Sequence, residues 1–340
     1  VRSSDGDACS TKAVNAASRS ALTRVLMNPP GARCHHLYAS TPGKVAPARA
    51  VFARHYDLRV IDLHAHSTAS DGTEPPAQVV ACAVEAGLTT LALTDHDTTL
   101  GWDEATAAAR RHGIRLVPGI EVSCSRRHQS IHLLAYLPDP THPDLVAELE
   151  RALHSRDTRL DAMVAKMAAD GIPVTIEEVR AQVEPGATPG RPHIADALVA
   201  SGVIGHRDEA FARWLGGRSP YYVEHYAPDP VRAVEIVRAA GGVPVVAHPR
   251  SVNRGRVVSD ELIEEMAAAG LVGIEVDHRD HRADAVAHLA DLARVLGLVA
   301  TGSSDYHGTG KLNRIGERTT SPAALEVIEA LGTGTPVITP

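Results

Sequence analysis

From residue 57 onward the chain alternates short apolar, β-branched runs with Ala-rich stretches of helical spacing, and this predicts an α/β barrel. Three observations carry the prediction. About seven candidate strands recur in turn with candidate helices, as βα units require. Several candidate helices stop at a glycine, the residue that tolerates the left-handed C-terminal cap: Gly87, Gly113, Gly241 and Gly270. One long interval breaks the rhythm and holds helical signals only.

The candidate strands are 58–63 (LRVIDL), 89–94 (TTLALT), 114–117 (IRLV), 130–136 (SIHLLAY), 243–247 (VPVVA), 271–276 (LVGIEV) and 298–302 (LVATG). The candidate helices between them are 76–86, 101–112, 230–240, 259–269 and 283–296. Together they suggest a parallel sheet that closes or nearly closes. The interval 143–228 reads as helices at 143–170, 176–183, 191–201 and 206–215, broken at Gly171-Ile172-Pro173 and Glu184-Pro185-Gly186. It is too long for a loop. The expected organisation is a barrel made of 57–142 and 229–340, with 143–228 inserted as a helical cap subdomain. Residues 1–56 lack any sustained period and are rich in Ala, Ser, Arg and Pro; they read as a mostly disordered tail. Their Arg- and Ser-rich, acid-poor start resembles a transit peptide. The first residue, Val1, and the dominance of Arg over Lys suit instead a GC-rich bacterial gene with its start assigned upstream, and a cytoplasmic protein.

Composition narrows the function. A hydrophobic content of 44% supports a sizeable core, and no apolar run reaches the length of a membrane helix. The 2 Trp, 7 Tyr and 2 Phe are too few for a stacking surface on single-stranded nucleic acid. Net charge is −7, and the tail is basic while the body is strongly acidic. An acidic body argues against duplex DNA, whose affinity comes from phosphate neutralisation. Cys9, Cys34, Cys82 and Cys124 form no CxxC pair, which excludes a thiolate zinc site and a disulfide framework. The outlying number is 19 His.

Many of these histidines fall beside carboxylates at the predicted strand ends. His64 and His66 follow the first strand on one side of an extended segment, and Asp71 lies just beyond. Asp95-His96-Asp97 ends the second strand, Glu121 follows the third and His132 lies within the fourth. His248 follows the fifth, Asp277 and His278 the sixth, and Asp305 and His307 the seventh. In a parallel barrel these ends converge on one face. Nitrogen and oxygen donors of this kind suit first-row divalent ions. The candidates are too many for one ion, so two or three are expected, with Glu121 as a bridging carboxylate. Asp95 and Asp97 are expected to orient imidazole ligands. His112, His128, His142, His154, His206, His225 and His288 read as solvated.

The runs His64-Ala65-His66-Ser67, Thr94-Asp95-His96-Asp97, Pro118-Gly119-Ile120-Glu121, Ala247-His248-Pro249 and Ser304-Asp305-Tyr306-His307 resemble, in order, the motifs of the PHP (polymerase and histidinol phosphatase) family. The resemblance implies a distorted seven-stranded βα barrel with a trinuclear Mn, Fe or Zn site (Mg as an alternative) and phosphoester hydrolysis. It implies His64, His66, Glu121 and Asp305 on one ion, and Asp71, His96 and His307 on a second. Glu121, His132 and His248 would hold the third. Many members carry His where Asp71 stands. The insert and the run Gly190-Arg191-Pro192-His193-Ile194-Ala195 are most similar to the nucleoside 3′,5′-bisphosphate phosphatase branch, which also trims short RNA from its 5′ end. There Arg191 and His193 would face a substrate phosphate, as a permanently charged fork and a helix start allow.

Lys311 and Arg314 are further candidate phosphate contacts. His193, His278 or a water could protonate the leaving alkoxide, a choice the residues leave open. The expected substrate is a small phosphorylated nucleotide or a short 5′-phosphorylated RNA. The alternatives are another PHP phosphatase, such as a histidinol phosphatase, and a non-catalytic metal-binding module like those attached to DNA polymerases. An amidohydrolase is disfavoured, because neither Lys166 nor Lys311 sits at a predicted strand end to be carboxylated.

Overall fold

In the computed structural model, which describes residues 60–251 and 256–340, seven strands form one sheet in simple sequence order. The tail expected over 1–56 lies outside the described residues. The strands are β1 (Ile61–Asp62), β2 (Thr90–Leu93), β3 (Arg115–Arg126), β4 (Gln129–Tyr136), β5 (Val243–Val246), β6 (Gly273–Asp277) and β7 (Val299–Gly302). The two ends of the sheet approach each other. A parallel bridge links Ala65 with Tyr306, and the backbone N–H of Thr320 donates to Ile61 O at 2.8 Å, so the barrel nearly closes.

The expected all-parallel sheet is corrected at β4, which runs antiparallel to both β3 and β5. Two residues join β3 to β4, Arg127 and His128, with φ of 51° and 63°. Two successive left-handed residues make the turn whose twist suits a hairpin, and a hairpin forces antiparallel pairing. The third strand is also longer than the 114–117 expected. It continues through Glu121 to Arg126, so Glu121 lies inside a strand and not beyond its end.

Helices α1 (Pro76–Glu85), α2 (Trp102–His112), α7 (Pro230–Ala239), α8 (Asp260–Ala268) and α9 (Ala283–Leu296) fall within a residue of their expected limits. Gly113 and Gly297 end α2 and α9 with φ of 71° and 67°, where a side chain would be strained. A further helix, α10 (Pro322–Leu331), packs Leu325 and Ile328 among Ile61, Leu134, Val243 and Val245. Across the same layer the Tyr136 hydroxyl donates to Leu63 O at 2.9 Å.

Between β4 and β5 stand α3 (Pro143–Ala169), α4 (Ile176–Arg180), α5 (Arg191–Ala200) and α6 (Arg207–Ala210). The expected helix 206–215 changes character: after α6, Phe211–Leu215 widens into a π turn. These helices bury their own apolar cluster, with Leu160, Met163 and Met167 of α3 against Ile194 and Leu198 of α5. Arg207 ties them to the barrel. Its Nε and Nη2 each donate to Asp196 at 2.6 Å, and its Nη1 donates to Asp71 O at 2.8 Å. The backbone N–H of Thr188 donates to Ala69 O at 3.0 Å beside it.

Candidate metal centre

The strand ends bring together all nine residues expected as ligands. His64, His66, Glu121 and Asp305 place one donor atom each within 4.8 Å of one another, and so do His66, Asp71, His96 and His307. A third set joins His96, Glu121 and His132. His248 meets it through Nε2, which lies 2.9 Å from Glu121 Oε1, while His132 Nδ1 lies 2.7 Å from the same oxygen. The other oxygen, Glu121 Oε2, is 3.0 Å from His66 Nε2 and 3.2 Å from His96 Nδ1. Asp71 Oδ1 stands 3.2 Å from His307 Nε2. Glu121 therefore belongs to two of these sets and its Oε2 reaches His66 and His96 of the other, His66 is shared by two, and a fourth set joins His64, His248 and Glu275. The shared His66 differs from the expectation that Asp71, His96 and His307 stand alone.

The residues fit divalent ions on chemical grounds. Asp71 Oδ1, Glu121 Oε2, His96 Nδ1 and His307 Nε2 are buried and make no well-formed hydrogen bond, although they face one another across about 3 Å. Buried acceptors held this close repel one another unless a cation or protons lie between them. Protons partly play that role here. Burial pushes the Glu121 carboxyl up, but the His132, His96 and His64 rings hold it well below the usual carboxylate range. Burial lowers His66, yet hydrogen bonds to Asp305 and Glu121 raise it to about 9. Burial and the Lys311 and His66 charges lower His307 to about 4.

The backbone is strained at the same place. His248 and Asp305 hold φ of 29° and 53°, in the region that favours glycine. Glu275 secures one of them. Its Oε2 accepts the His248 backbone N–H at 2.7 Å, and its Oε1 lies 3.0 Å from His64 Nδ1. The His64 ring therefore presents Nε2 to Glu121 and Asp305, at 3.3 and 3.4 Å. Glu275 was not foreseen. The available signal was a carboxylate in the middle of an apolar strand, Gly273-Ile274-Glu275-Val276.

Neither Asp95 nor Asp97 hydrogen-bonds an imidazole directly, but Asp95 holds Ser70 Oγ, which lies 3.4 Å from His66 Nδ1. Asp95 accepts from Ser67 N and Oγ at 2.8 and 2.7 Å and from Ser70 Oγ at 2.6 Å, which fixes the turn after His66. Asp97 accepts from Ser123 N at 2.7 Å and from Arg156 Nε at 2.8 Å, which ties β3 to α3.

The candidate substrate residues divide. His193 is buried at the start of α5, close enough to Asp71 to feel its charge. Its Nδ1 accepts the Gly190 N–H at 3.0 Å, so the neutral ring carries its proton on Nε2. Arg191 donates to Leu215 O at 2.7 Å and lies over the Phe211 and Tyr222 rings. His278 is buried with Nε2 3.6 Å from Asp305 Oδ2, and Lys311 Nζ reaches the same oxygen at 3.0 Å. Arg314 is not brought to the cluster: its side chain is 84% exposed and leans toward Glu317. His281 spends Nδ1 on Val276 O and Nε2 on the Arg250 N–H. His225, expected to be solvated, is half-buried beside Arg159. Arg156 and Arg159 were also missed; both are buried on α3.

Comparison with known proteins agrees with this geometry. The family model for the PHP domain matches residues 62–154. A 3′,5′-nucleoside bisphosphate phosphatase from Chromobacterium violaceum is 37% identical over 254 residues, covering 75% of this chain and 89% of the relative. A 5′-3′ exoribonuclease from Haemophilus influenzae is 36% identical over 247 residues, covering 72% and 89%. A solved structure from Bifidobacterium adolescentis, described as a metal-dependent phosphoesterase, superposes with a TM-score of 0.78 at 39% identity, covering 81% of this chain and 97% of that one.

Proposed function

The chain belongs to the PHP family of metal-dependent phosphoesterases, and on that premise we propose that it removes the 3′-phosphate from nucleoside 3′,5′-bisphosphates. The observation that carries the reading is the buried Glu121 carboxylate amid overlapping donor sets, beside a helical insert that presents His193 and Arg191. His64, His66, Glu121 and Asp305 would hold one ion, and His66, Asp71, His96 and His307 a second. Glu121, His132 and His248 would hold a third. When bound, divalent ions supply Lewis acidity toward phosphoryl oxygens and make hydroxide available near neutral pH.

The chain's own groups do the rest. Arg191 meets the phosphoryl oxygens with a permanent charge, and its stacking on Phe211 and Tyr222 limits its rotamers. His193 presents an Nε2–H that can donate a hydrogen bond to the same phosphoryl oxygens, and a water would supply the proton to the leaving 3′ oxygen. His278 is a second hydrogen-bond donor, because its Nδ1 accepts the Asp280 N–H at 3.1 Å and leaves the proton on Nε2. Arg207 holds the insert to the Asp71 turn, so Arg191 and His193 stay over the cluster. Among the described residues no helix is long and apolar enough to cross a membrane.

A second reading, removal of nucleotides from the 5′ end of short RNA, is supported by the named activity of the Haemophilus influenzae relative. The test is phosphate release from adenosine 3′,5′-bisphosphate by Mn-, Fe-, Zn- or Mg-loaded protein, with histidinol phosphate and short 5′-phosphorylated RNA in parallel. Release from the bisphosphate that stops with chelator supports the reading. Faster release from histidinol phosphate overturns it, and no release from any substrate leaves a non-catalytic module.

A further inference from the structure

From residue 57 onward the chain has two lysines, Lys166 near the end of α3 and Lys311 just after β7. Lys311 is the one that reaches the metal centre. Its Nζ donates to Asp305 Oδ2 at 3.0 Å, and its side chain is 32% exposed. Among the described residues Asp305 is the one carboxylate with which this ammonium pairs. The buried His278 Nε2 lies 3.6 Å from the same oxygen. The other oxygen, Asp305 Oδ1, faces His64 Nε2, His66 Nε2 and His307 Nδ1 at 3.4, 3.5 and 3.5 Å. Asp305 therefore stands between a fixed cation on one side and the first donor set on the other.

The loop holds Lys311 in that place. Asn313 Nδ2 donates to Ser304 O at 2.7 Å, and Arg279 Nη1 donates to Leu312 O at 3.0 Å. Both anchors lie within two residues of Lys311, so its backbone is tied back to the strand end that carries Asp305. The Lys311 charge also reaches the His307 ring of the second set.

A cation beside a ligand carboxylate acts in two opposite ways. With the donor sets empty it balances a buried negative charge that would otherwise be costly. With an ion present it repels that ion across a few ångströms of weakly screening interior. Protons on neighbouring imidazoles can leave as an ion arrives. The ammonium is tethered to the chain and keeps its charge close by.

We propose that Lys311 is a resident counter-cation of the metal centre, which neutralises Asp305 while the donor sets are empty and lowers the affinity for arriving ions. The proposal rests on the metal-centre part of the reading above and is independent of the bisphosphate substrate.

The experiment is chelator competition for Mn by the full chain, as wild type, Lys311→Gln, Lys311→Met and Lys311→Arg. Thermal midpoints are read in chelator and in saturating Mn. Glutamine can still donate to Asp305 but carries no charge, whereas arginine keeps the charge. Lys311→Gln and Lys311→Met are expected to bind Mn at least fivefold more tightly than wild type, and Lys311→Arg within twofold. The neutral variants should melt below wild type in chelator, with a smaller gap in Mn. Neutral variants that bind Mn no more tightly overturn the proposal, as does an equal drop in midpoint with and without Mn, the mark of a merely structural lysine. An arginine variant more than twofold away from wild type overturns it even where a neutral variant fails to fold. Wild type that takes up no stoichiometric Mn overturns the metal-centre reading and this proposal together. Wild type that binds Mn beside unchanged neutral variants overturns this proposal alone.

Discussion

Replacing Glu275 by Gln separates the ligand cluster from the group that orients it. Glu275 is fully buried and uses both oxygens, one on His64 Nδ1 at 3.0 Å and one on the His248 N–H at 2.7 Å. A glutamine of the same shape can serve only one of these. If its oxygen accepts from His248, its amide NH₂ faces His64 Nδ1 and turns that nitrogen into an acceptor. The His64 proton then moves to Nε2, the atom 3.3 Å from Glu121 Oε2, and one ligand nitrogen is lost. If the amide is reversed, NH₂ opposes the His248 N–H and leaves a buried donor unsatisfied, a cost of about 1–3 kcal/mol. Loss of a group that orients a metal-bound histidine typically weakens metal affinity about 10–100-fold. That range is the expected effect of Glu275→Gln on Mn affinity, measured by competition with a chelator. The metal-activation curve for phosphate release should shift by the same factor. An affinity within twofold of wild type would refute the assigned role.

Four further outcomes are expected. Asp305→Asn removes a charge that faces both His64 and His66, and should abolish stoichiometric Mn binding in equilibrium dialysis while the metal-free protein still unfolds cooperatively. Arg207→Ala deletes the paired contact to Asp196 and the bond to Asp71 O, and should cost about 2 kcal/mol, read as a lower midpoint in thermal or urea unfolding. Gly308→Ala drives a methyl into Glu74 Oε2 and Thr73 Oγ1 at a φ of +64°, and should destabilise by at least about 1 kcal/mol while disturbing the neighbouring His307. Arg314→Ala should leave phosphate release within twofold of wild type, because the side chain points into solvent.

The candidate cluster was legible because histidines and carboxylates recur where a barrel's loops converge, as His64-Ala65-His66, Asp95-His96 and Asp305-Tyr306-His307. The antiparallel β4 was not legible. The turn at Arg127-His128 lacks the Asn or Gly that usually announces two left-handed residues, so the hairpin carried no local signal. Arg156 and Arg159 were hidden for a different reason. They lie in the same helical stripe as Ala152, Leu160, Met163 and Met167, yet arginine on a helix ordinarily reads as solvent-facing. A charged residue on an apolar stripe was the available clue. Glu275 carried the same clue on a strand, a carboxylate between Ile274 and Val276 that must be paired if buried. Asp95 and Asp97 show the limit of spacing arguments. They flank His96 in sequence but serve Ser67, Ser70, Ser123 and Arg156 in space.

The account stands or falls on whether the buried cluster around Glu121 holds catalytic ions. The most direct measurement is stepwise addition of Mn to chelator-stripped protein, with bound metal and phosphate release from adenosine 3′,5′-bisphosphate followed together. The account predicts saturation at two or three ions per chain, with release rising only as those sites fill. Release that persists in stripped protein, or ions that bind stoichiometrically without any release, would contradict it.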